Sequence, residues 1–355
     1  FVGSETGMIK IPEDKVIEKG KLGPGQIIAI DLKKGKLFKD KEIKDLLAKD
    51  YKKYNKQIID LEKKLTFEDE RPIFTDEDLR KRQYLSGLSI EDLELILHPM
   101  AEDGKEAAGS MGDDTPVAVL SSHFRPVSHY FRQNFSQVTN PPIDSLRENK
   151  VMSLKTRFGN LGNILDFDNL TEENIYVLDS PILTNSQFKK FRKFFSKKTK
   201  VIDCTFDISS SLKDRIEAIR VETETSVREG STCIILSDKN ISNQKATIPS
   251  ILVVGAVHSY LVKQGLRGYC SLNVECSDAL DTHSFAVLIG VGATTVNPYL
   301  AFDSLFQRHE KKLFGQFNFN ECVERYIKSV NAGLLKIMSK MGISVLSSYR
   351  GGCNF

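Results

Sequence analysis

After residue 200, apolar runs alternate with longer segments of helical spacing. Four of these runs end at or beside a polar residue, namely Asp207, Asp238, Glu275 and Asn297. The first two segments between them stop at a glycine, as helices often do. Near-continuous apolar runs joined by helices are typical of parallel strands that are buried on both faces. The pattern predicts an α/β fold, either a partial (β/α) barrel-like domain or a doubly wound sheet.

The N-terminal stretch has a different pattern. Apolar runs at 26–32 and 36–38 flank a Lys-Lys-Gly turn, which predicts a β-hairpin and therefore a β-rich N-terminal piece. The charged stretch that follows has apolar residues near helical spacing and predicts a helix over 40–64. Farther along, Ser89 and Asp92 have the spacing of a capping box at the start of a helix.

The end of the chain reads GLLKIMSKMGISVLSSYRGGCNF. This pattern predicts a helix that ends at a glycine, followed by a short apolar strand and a glycine pair. Between 106 and 154, residues that break regular structure are frequent, including Pro116, Pro141 and Pro142. Long irregular segments of this kind form interfaces or plain surface loops, and the pattern leaves both open.

Composition excludes several classes of protein. Charged residues make up 27% of the chain but the net charge is only +3, so the strong basic footprint of a nucleic-acid-binding protein is missing. No apolar run reaches the roughly 20 residues that a membrane span needs. The cysteines form no C-x-x-C pair, which predicts reduced, buried thiols in a reducing compartment. They are Cys204, Cys233, Cys270, Cys276, Cys322 and Cys353.

Candidate reaction centres are few. In a barrel, function gathers at the carboxyl ends of the strands, so Asp207, Asp238 and Glu275 could perform acid–base chemistry or bind a metal. The alternative is that these carboxylates cap helices and bind loop amides, and the sequence favours it. His258 and His283 lie in apolar helical segments without an assignable partner, which favours a packing role. No zinc-binding, phosphate-loop or nucleophile-elbow motif occurs.

Three stretches are more specific than these patterns, namely GSMGDDTPVAVLS, FRQNFSQVTNPPIDSLRENKVMSL and GLLKIMSKMGIS. They resemble the large subunit of glutamate synthase, in the region between its class II glutamine amidotransferase domain and its FMN-binding domain. The likeness extends over nearly the whole chain. It implies that 1–65 are the tail of the amidotransferase domain with a connecting helix. It further implies that 66–335 are the central α/β domain and 336–355 the start of the FMN-binding domain.

The resemblance implies a parent enzyme that makes L-glutamate from L-glutamine and 2-oxoglutarate with NADPH or ferredoxin as electron donor. The central domain would be non-catalytic, position the glutaminase and synthase sites, and help wall an ammonia tunnel. No cofactor is expected in this chain, whereas FMN and a 3Fe–4S cluster are expected in the parent. The expected partners are the neighbouring domains of the same polypeptide and a small reductase subunit or ferredoxin, with no nucleic acid and no membrane. The expected compartment is the cytoplasm or the plastid stroma.

The same resemblance implies the site residues. Thr115, Asn140, Asp144 and Arg147 are expected at the tunnel or at domain contacts, and Ser339 and Met341 at the edge of the flavin domain. No catalytic or metal-binding residue is implied in this chain. Three positions depart from the family pattern, which makes their roles uncertain: Ser284, Ser347 and Cys353.

Two other functions remain open from the residues alone. The chain could be a self-sufficient (β/α) enzyme that uses the strand-end carboxylates. It could also be an interaction scaffold that is unrelated to ammonia. Turnover of glutamine or bound flavin in the purified chain would distinguish the enzyme from the connecting domain.

Overall fold

The computed structural model describes residues 1–5, 7–49, 58–66, 70–107, 109, 111–113, 115–116, 118–122, 124–134, 147–161, 174–352 and 354–355. The chain separates into two compact units, Phe1–Asn55 and Lys56–Phe355.

The N-terminal unit contains the predicted hairpin. Strands β1 (Ala29–Asp31) and β2 (Lys36–Phe38) pair in antiparallel register. The carboxylate of Asp31 accepts hydrogen bonds from the backbone N–H groups of the two turn lysines, and Gly35 supplies a positive φ of 58°. These features fix the tight turn, because a residue with a side chain is strained at positive φ. Helix α1 (Asp40–Ala48) follows.

The predicted helix over 40–64 is wrong in its second half. Residues Ile58–Asp60 form strand β3, which pairs in parallel with β5 (Ile175–Leu178) in the second unit. Two adjacent isoleucines favour an extended strand, since β-branched side chains fit a pleated sheet better than a helix. Strand β4 (Thr156–Phe158) completes this three-stranded sheet on the other side of β5.

A four-stranded parallel sheet lies at the centre of the second unit, as predicted. Its strand order is β11–β10–β8–β6, and every residue of β8 and β10 is buried. Burial on both faces explains why these strands read as continuous apolar runs. The bounds are β6 (Thr199–Asp203), β8 (Cys233–Ser237), β10 (Ser271–Glu275) and β11 (Thr295–Asn297).

Helices connect the parallel strands and cover the sheet. The predicted helix ends are confirmed, because the glycines after α6 and α7, Gly230 and Gly265, have φ of 100° and 69°. Helix α8 is buried along its whole length and the long helix α10 packs against it. The bounds are α6 (Leu212–Arg228), α7 (Ser250–Lys263), α8 (Thr282–Gly290), α9 (Tyr299–Glu310) and α10 (Phe319–Met341).

The remaining elements are short. A capping box of Ser89 and Asp92 is confirmed by reciprocal hydrogen bonds, and it opens a turn of π-helix over Asp92–Leu97. Helix α5 contributes phenylalanines to a second apolar cluster against β4 and β5. The other bounds are α2 (Asp76–Leu85), α3 (His98–Glu102), α4 (Glu148–Val151), α5 (Asn185–Phe194), β7 (Thr205–Asp207), β9 (Lys245–Thr247) and α11 (Leu346–Tyr349).

Two predicted strand positions are wrong. The apolar run that ends at Asp207 breaks at Cys204, because Asp203 accepts hydrogen bonds from the backbone and hydroxyl of Thr205 and turns the chain. The second half of the run is β7, which leaves the parallel sheet and pairs antiparallel with β9. The strand predicted after α10 is instead the single turn α11, whose Leu346 and Tyr349 are both buried. Their spacing of three residues suits a helix and not a strand.

Candidate functional site

The carboxyl edge of the parallel sheet holds Asp203, Asp238, Glu275 and Asn297. Asp207, which the sequence placed at this edge, lies in the two-stranded antiparallel sheet of β7 and β9, with an exposed side chain. Asp203 occupies the strand-end position that the sequence analysis assigned to Asp207. The sequence analysis missed Asp203 because a continuous apolar run does not show that one strand ends at Asp203 and another begins at Thr205.

Glu275 forms a buried ion pair with Lys239. Its carboxylate is 2% exposed, and it accepts hydrogen bonds from Lys239 Nζ and Ser237 Oγ, each at 2.7 Å. A buried carboxylate that is paired in this way already has its hydrogen-bond partners. It therefore braces the edge of the sheet.

Asp238 is buried beside another carboxylate. It is 3% exposed and accepts hydrogen bonds from the backbone N–H of Ser277 at 2.9 Å and from its hydroxyl at 2.6 Å. Burial, and then the nearby Asp278, raise the pKa of Asp238 from 3.8 to about 7. Asp278 in turn accepts from the backbone N–H and the hydroxyl of Ser250, at the start of α7. The strand-end carboxylates thus bind loop and helix-end groups, which fits the bracing role that the sequence favoured.

Asp238 should make stability depend on pH. The folded state binds its proton more tightly than the unfolded state does, so the free energy of unfolding falls as pH rises from 3.8 towards about 7. In D238N this contribution is absent. Relative to the wild type, D238N should gain about 2 kcal/mol between pH 5 and pH 7. Urea unfolding at several pH values measures this gain, and exposed Asp207 provides the control variant D207N. Parallel pH profiles for the wild type and D238N would contradict the expected shift.

The two histidines singled out by the sequence are packed without a nucleophile. His283 on α8 is buried, and its Nε2 lies 2.8 Å from the backbone oxygen of Ser128. His258 on α7 accepts a hydrogen bond at Nδ1 from Arg267 Nε at 3.0 Å. Burial, and then the nearby arginines, lower the pKa of His258 to about 4, so its ring is neutral. Among the described residues, neither ring has the partner that general base catalysis needs.

A cavity of about 960 Å³ lies between the 104–113 loop and helices α8 and α10. The close approach of the two helices depends on Gly333, since an added Cβ there would lie 2.4 Å from Thr282 Cγ2. The loop is fixed at Gly112, where φ is 84° and an added Cβ would lie 2.6 Å from the carbonyl oxygen of Phe131. Glycine at these positions thus defines two walls of the cavity.

Buried polar atoms in this cavity wall lack partners. Thr282 Oγ1, His283 Nδ1 and Ser329 Oγ form no hydrogen bond with any residue that the structure describes. All three residues are at least 96% buried. Buried polar atoms without partners cost free energy unless water or a small polar molecule binds them. The wall is therefore suited to a small guest that forms hydrogen bonds.

The charged residues described in the cavity lining differ in exposure. Lys105, Glu106, Lys336 and Lys340 are exposed, whereas Asp113 and Asp281 are half-buried. Glu106 accepts a hydrogen bond from the backbone N–H of Thr282 at 2.8 Å, which ties the loop to the start of α8. A carboxylate therefore lies beside the buried wall at Thr282.

The residues predicted at the tunnel or at domain contacts do not line this cavity where they are described. Thr115 is exposed and its N–H donates to the carboxylate of Asp113, a lining residue, at 2.9 Å. Asp113 also forms an ion pair with Arg125 at 3.0 Å. Arg147 is exposed just before α4, and Asn140 and Asp144 lie outside the described residues. Their role at an interface remains a prediction.

The two positions predicted at the flavin edge lie at the end of α10. Ser339 is buried, and Met341 Sδ accepts a hydrogen bond from Gln133 Nε2 at 2.8 Å. Their contact with flavin also remains a prediction. Sequence reasoning missed Ser329 and Thr282 because neither belongs to a motif. The only indication was Gly333, a glycine within a helical pattern.

The described cysteines do not fit an iron–sulfur cluster. Five are free and buried, and burial raises the pKa of Cys233 to about 12 and that of Cys322 to about 11. Within the described part of the chain, no three His, Cys, Asp or Glu side chains are grouped as metal ligands. Among the helices described, none is long and apolar enough to cross a membrane.

Comparison with known proteins gives two family matches. Residues 81–355 match the glutamate synthase central domain, and residues 1–56 match the class II glutamine amidotransferases. The chain is 54% identical over 99% of its length to the glutamate synthase (NADPH) large chain of Azospirillum brasilense. It is 38% identical over 98% of its length to that of Bacillus subtilis. A flavocytochrome b2 structure with benzoylformate aligns at a TM-score of 0.32 and 12% identity, over 46% of this chain and 37% of the other.

A plant relative is also similar. The chain is 37% identical over 99% of its length to the chloroplastic/mitochondrial ferredoxin-dependent glutamate synthase 1 of Arabidopsis thaliana. It covers 24%, 23% and 23% of the Azospirillum, Bacillus and Arabidopsis sequences. The chain therefore spans about a quarter of the length of these relatives.

Proposed function

Because the chain belongs to the glutamate synthase central domain family, we propose that it is the connecting domain of a glutamate synthase large chain. In this proposal it performs no chemistry itself. It holds a glutaminase site and a synthase site at a fixed separation, and it helps wall the tunnel through which ammonia passes between them. The larger enzyme makes L-glutamate from L-glutamine and 2-oxoglutarate.

The cavity beside α8 and α10 is the observation that carries the tunnel role. Ammonia must travel as a neutral molecule, because a proton would convert it to a strongly hydrated ion. Thr282, His283 and Ser329 have buried polar atoms in this wall that lack partners among the described residues. Such atoms can exchange hydrogen bonds with ammonia as it passes.

The strand edge supports the connecting role. In (β/α) barrels this edge carries catalysis, whereas here Glu275 is paired with Lys239 and Asp238 binds a loop amide. Carboxylates that are already satisfied make a stiff scaffold. Stiffness is the property that a spacer between two active sites needs.

Cofactors and partners in this proposal lie in other parts of the polypeptide. FMN and a 3Fe–4S cluster would be held by residues outside this chain. The amidotransferase and FMN-binding domains would be the direct neighbours, with 1–65 and 336–355 contributing to them. Thr115, Asn140, Asp144 and Arg147 would contact these neighbours. A reductase subunit or ferredoxin would deliver electrons, in the cytoplasm or the plastid stroma.

The purified chain tests whether the domain is non-catalytic. We expect no release of ammonia from glutamine, because the candidate carboxylates are engaged in structural contacts. We also expect no flavin absorbance, because the proposal places FMN in the neighbouring domain. The glutamate synthase holoenzyme serves as the positive control for both assays. Glutamine turnover that is lost in E275Q, while the variant remains folded, would refute the proposal and favour a self-sufficient enzyme.

A further inference from the structure

A second pocket, of about 250 Å³, lies at the amino ends of β10 and β11, at the opposite edge of the sheet from the strand-end carboxylates. Three arginines line it, together with the hydroxyl groups of three further residues, and no Asp or Glu is among the lining residues that the structure describes. The arginines are Arg157, Arg267 and Arg350, and the hydroxyl groups belong to Ser271, Thr294 and Ser347.

Arg267 forms its hydrogen bonds with uncharged acceptors only. Its Nη1 donates to the carbonyl oxygen of Cys270 at 2.6 Å, and its Nη2 donates to that of Gly292 at 2.9 Å and to Thr294 Oγ1 at 3.3 Å. Its Nε donates to His258. These bonds fix the guanidinium in place but do not compensate its charge.

Arg350 adds a second charge close by. The residue is half-buried, and its side chain forms no hydrogen bond or ion pair with the described residues. Burial, followed by the charge of Arg267, lowers the pKa of Arg350 to about 10. Arg157 lies on β4, with its side chain exposed and likewise without an ion pair to any residue described. At neutral pH the pocket therefore contains three guanidinium ions, and the described residues of its lining supply no counter-charge.

The pocket wall beside these arginines is rigid. The ring of His258 fits between Gly292 and Gly351, where an added Cβ would lie 2.4 and 2.6 Å from ring atoms. The neutral ring contributes no charge, since its Nδ1 acts as an acceptor. The like charges of Arg267 and Arg350 are thus held near each other by the fold and not by an anion of the described chain.

We propose that this arginine pocket binds a small oxyanion, either a free tetrahedral anion or a free carboxylate. Guanidinium groups bind such oxygens in bidentate fashion, and burying like charges without a partner is costly. The free donors of Arg350 and Arg157 and the nearby hydroxyls supply the hydrogen bonds. The proposal does not depend on the connecting role, because it rests on the amino-end edge of the sheet and on other residues.

Binding of defined anions to the 355-residue chain tests the proposal. Titration calorimetry and thermal unfolding are compared in sulfate, phosphate, succinate and chloride at matched ionic strength. We expect sulfate and phosphate, or succinate, to bind and stabilise the wild type beyond chloride. R350Q and R157Q should each weaken binding by at least about tenfold, because each removes a charge-assisted hydrogen bond. The exposed arginine variant R80Q should bind as the wild type does. The response to succinate as against phosphate identifies the class of oxyanion.

Two results would overturn the proposal. One is that the wild type shows equal binding and equal thermal stability in all four salts, or that R157Q and R350Q leave anion binding unchanged. The other concerns Asp166 and Asp168, which follow Leu161 of the pocket lining in the sequence. If D166N/D168N binds added anions and the wild type does not, then the chain supplies its own carboxylate and no free ligand is involved.

Discussion

Replacing Asp303 by alanine should lower the free energy of unfolding by about 2–4 kcal/mol. Asp303 on α9 is buried, and its Oδ2 accepts hydrogen bonds from the backbone N–H groups of Ile73 and Phe74 at 2.8 and 2.9 Å. Its Oδ1 accepts from Asn185 Nδ2 at 3.1 Å. The alanine variant leaves all three donors without an acceptor. The expected loss is large because an unmade buried hydrogen bond costs more than a made one contributes.

The same carboxylate anchors the segment before α2. Phe74 packs edge-on against Tyr299 with ring centroids 5.8 Å apart, and the guanidinium of Arg82 lies 3.9 Å from the centroid of the Phe74 ring. Gln83 Nε2 donates to Ser304 Oγ at 2.8 Å. Loss of Asp303 should therefore loosen residues 70–85 together.

D303N is the matched control for D303A. Its amide oxygen can still accept from both backbone N–H groups, so most of the stability should be retained. Because burial raises the pKa of Asp303 to about 6, the carboxylate is partly protonated in mildly acidic solution and an amide resembles that form. Urea unfolding of the three proteins measures the difference. A D303A value within about 0.5 kcal/mol of the wild type would show that these hydrogen bonds do not stabilise the fold.

The parallel sheet was predictable from local sequence because its strands are buried on both faces. The strand β8, Cys233–Ser237, is apolar apart from its last residue and is bounded by polar residues, and α6 and α7 end at glycines of positive φ. Here propensity, pattern and tertiary structure agree. The hairpin β1–β2 was equally clear, because its turn chemistry is local.

The errors lie where a distant partner decides the local structure. Ile58–Asp60 forms a strand because β5, far along the chain, offers a pairing edge. Asp203 ends β6 because Thr205 donates a hydrogen bond to its side chain, and β7 then pairs with the distant β9. The hydropathy pattern indicates neither contact. After Gly342, the burial of Leu346 and Tyr349 against the rest of the fold selects a helical turn. Propensity is a weak prior in such positions.

The cavity and the arginine pocket could not be predicted from sequence for a related reason. Ser329, Thr282 and Glu106 come from separate elements, and each alone reads as an ordinary surface or capping residue. Arg157 and Arg350 are likewise distant in sequence and meet only in the fold. Unpaired charge and unpaired hydroxyls are properties of an assembled site, so a pattern of single residues does not reveal them.

Filling the cavity should uncouple the two reactions of a glutamate synthase that contains this domain. Ser329→Phe places a large ring in the buried wall, where the serine is 2% exposed and has no hydrogen-bond partner among the described residues. If ammonia passes here, the ring obstructs its path. Glutamate formed per glutamine hydrolysed should then fall several-fold, and free ammonia should accumulate. Synthase activity with added ammonia should be preserved, since the variant does not touch that site.

Lys328→Phe is the matched control for this prediction. Lys328 precedes Ser329 on α10, is exposed and does not line the cavity. The control introduces the same ring at the surface of the same helix and should leave the ratio of glutamate to hydrolysed glutamine near the wild-type value. Thermal unfolding of both variants distinguishes obstruction from general destabilisation.

The transfer of the amide nitrogen itself is the most direct test of the central claim that this domain walls the ammonia path. Glutamine labelled with nitrogen-15 in its amide is supplied together with excess unlabelled ammonium, and the label in the glutamate product is measured. The wild type and Lys328→Phe should retain the label, whereas Ser329→Phe should incorporate mainly unlabelled nitrogen from solution. Full retention of label in a folded Ser329→Phe enzyme, at an unchanged rate, would contradict the claim.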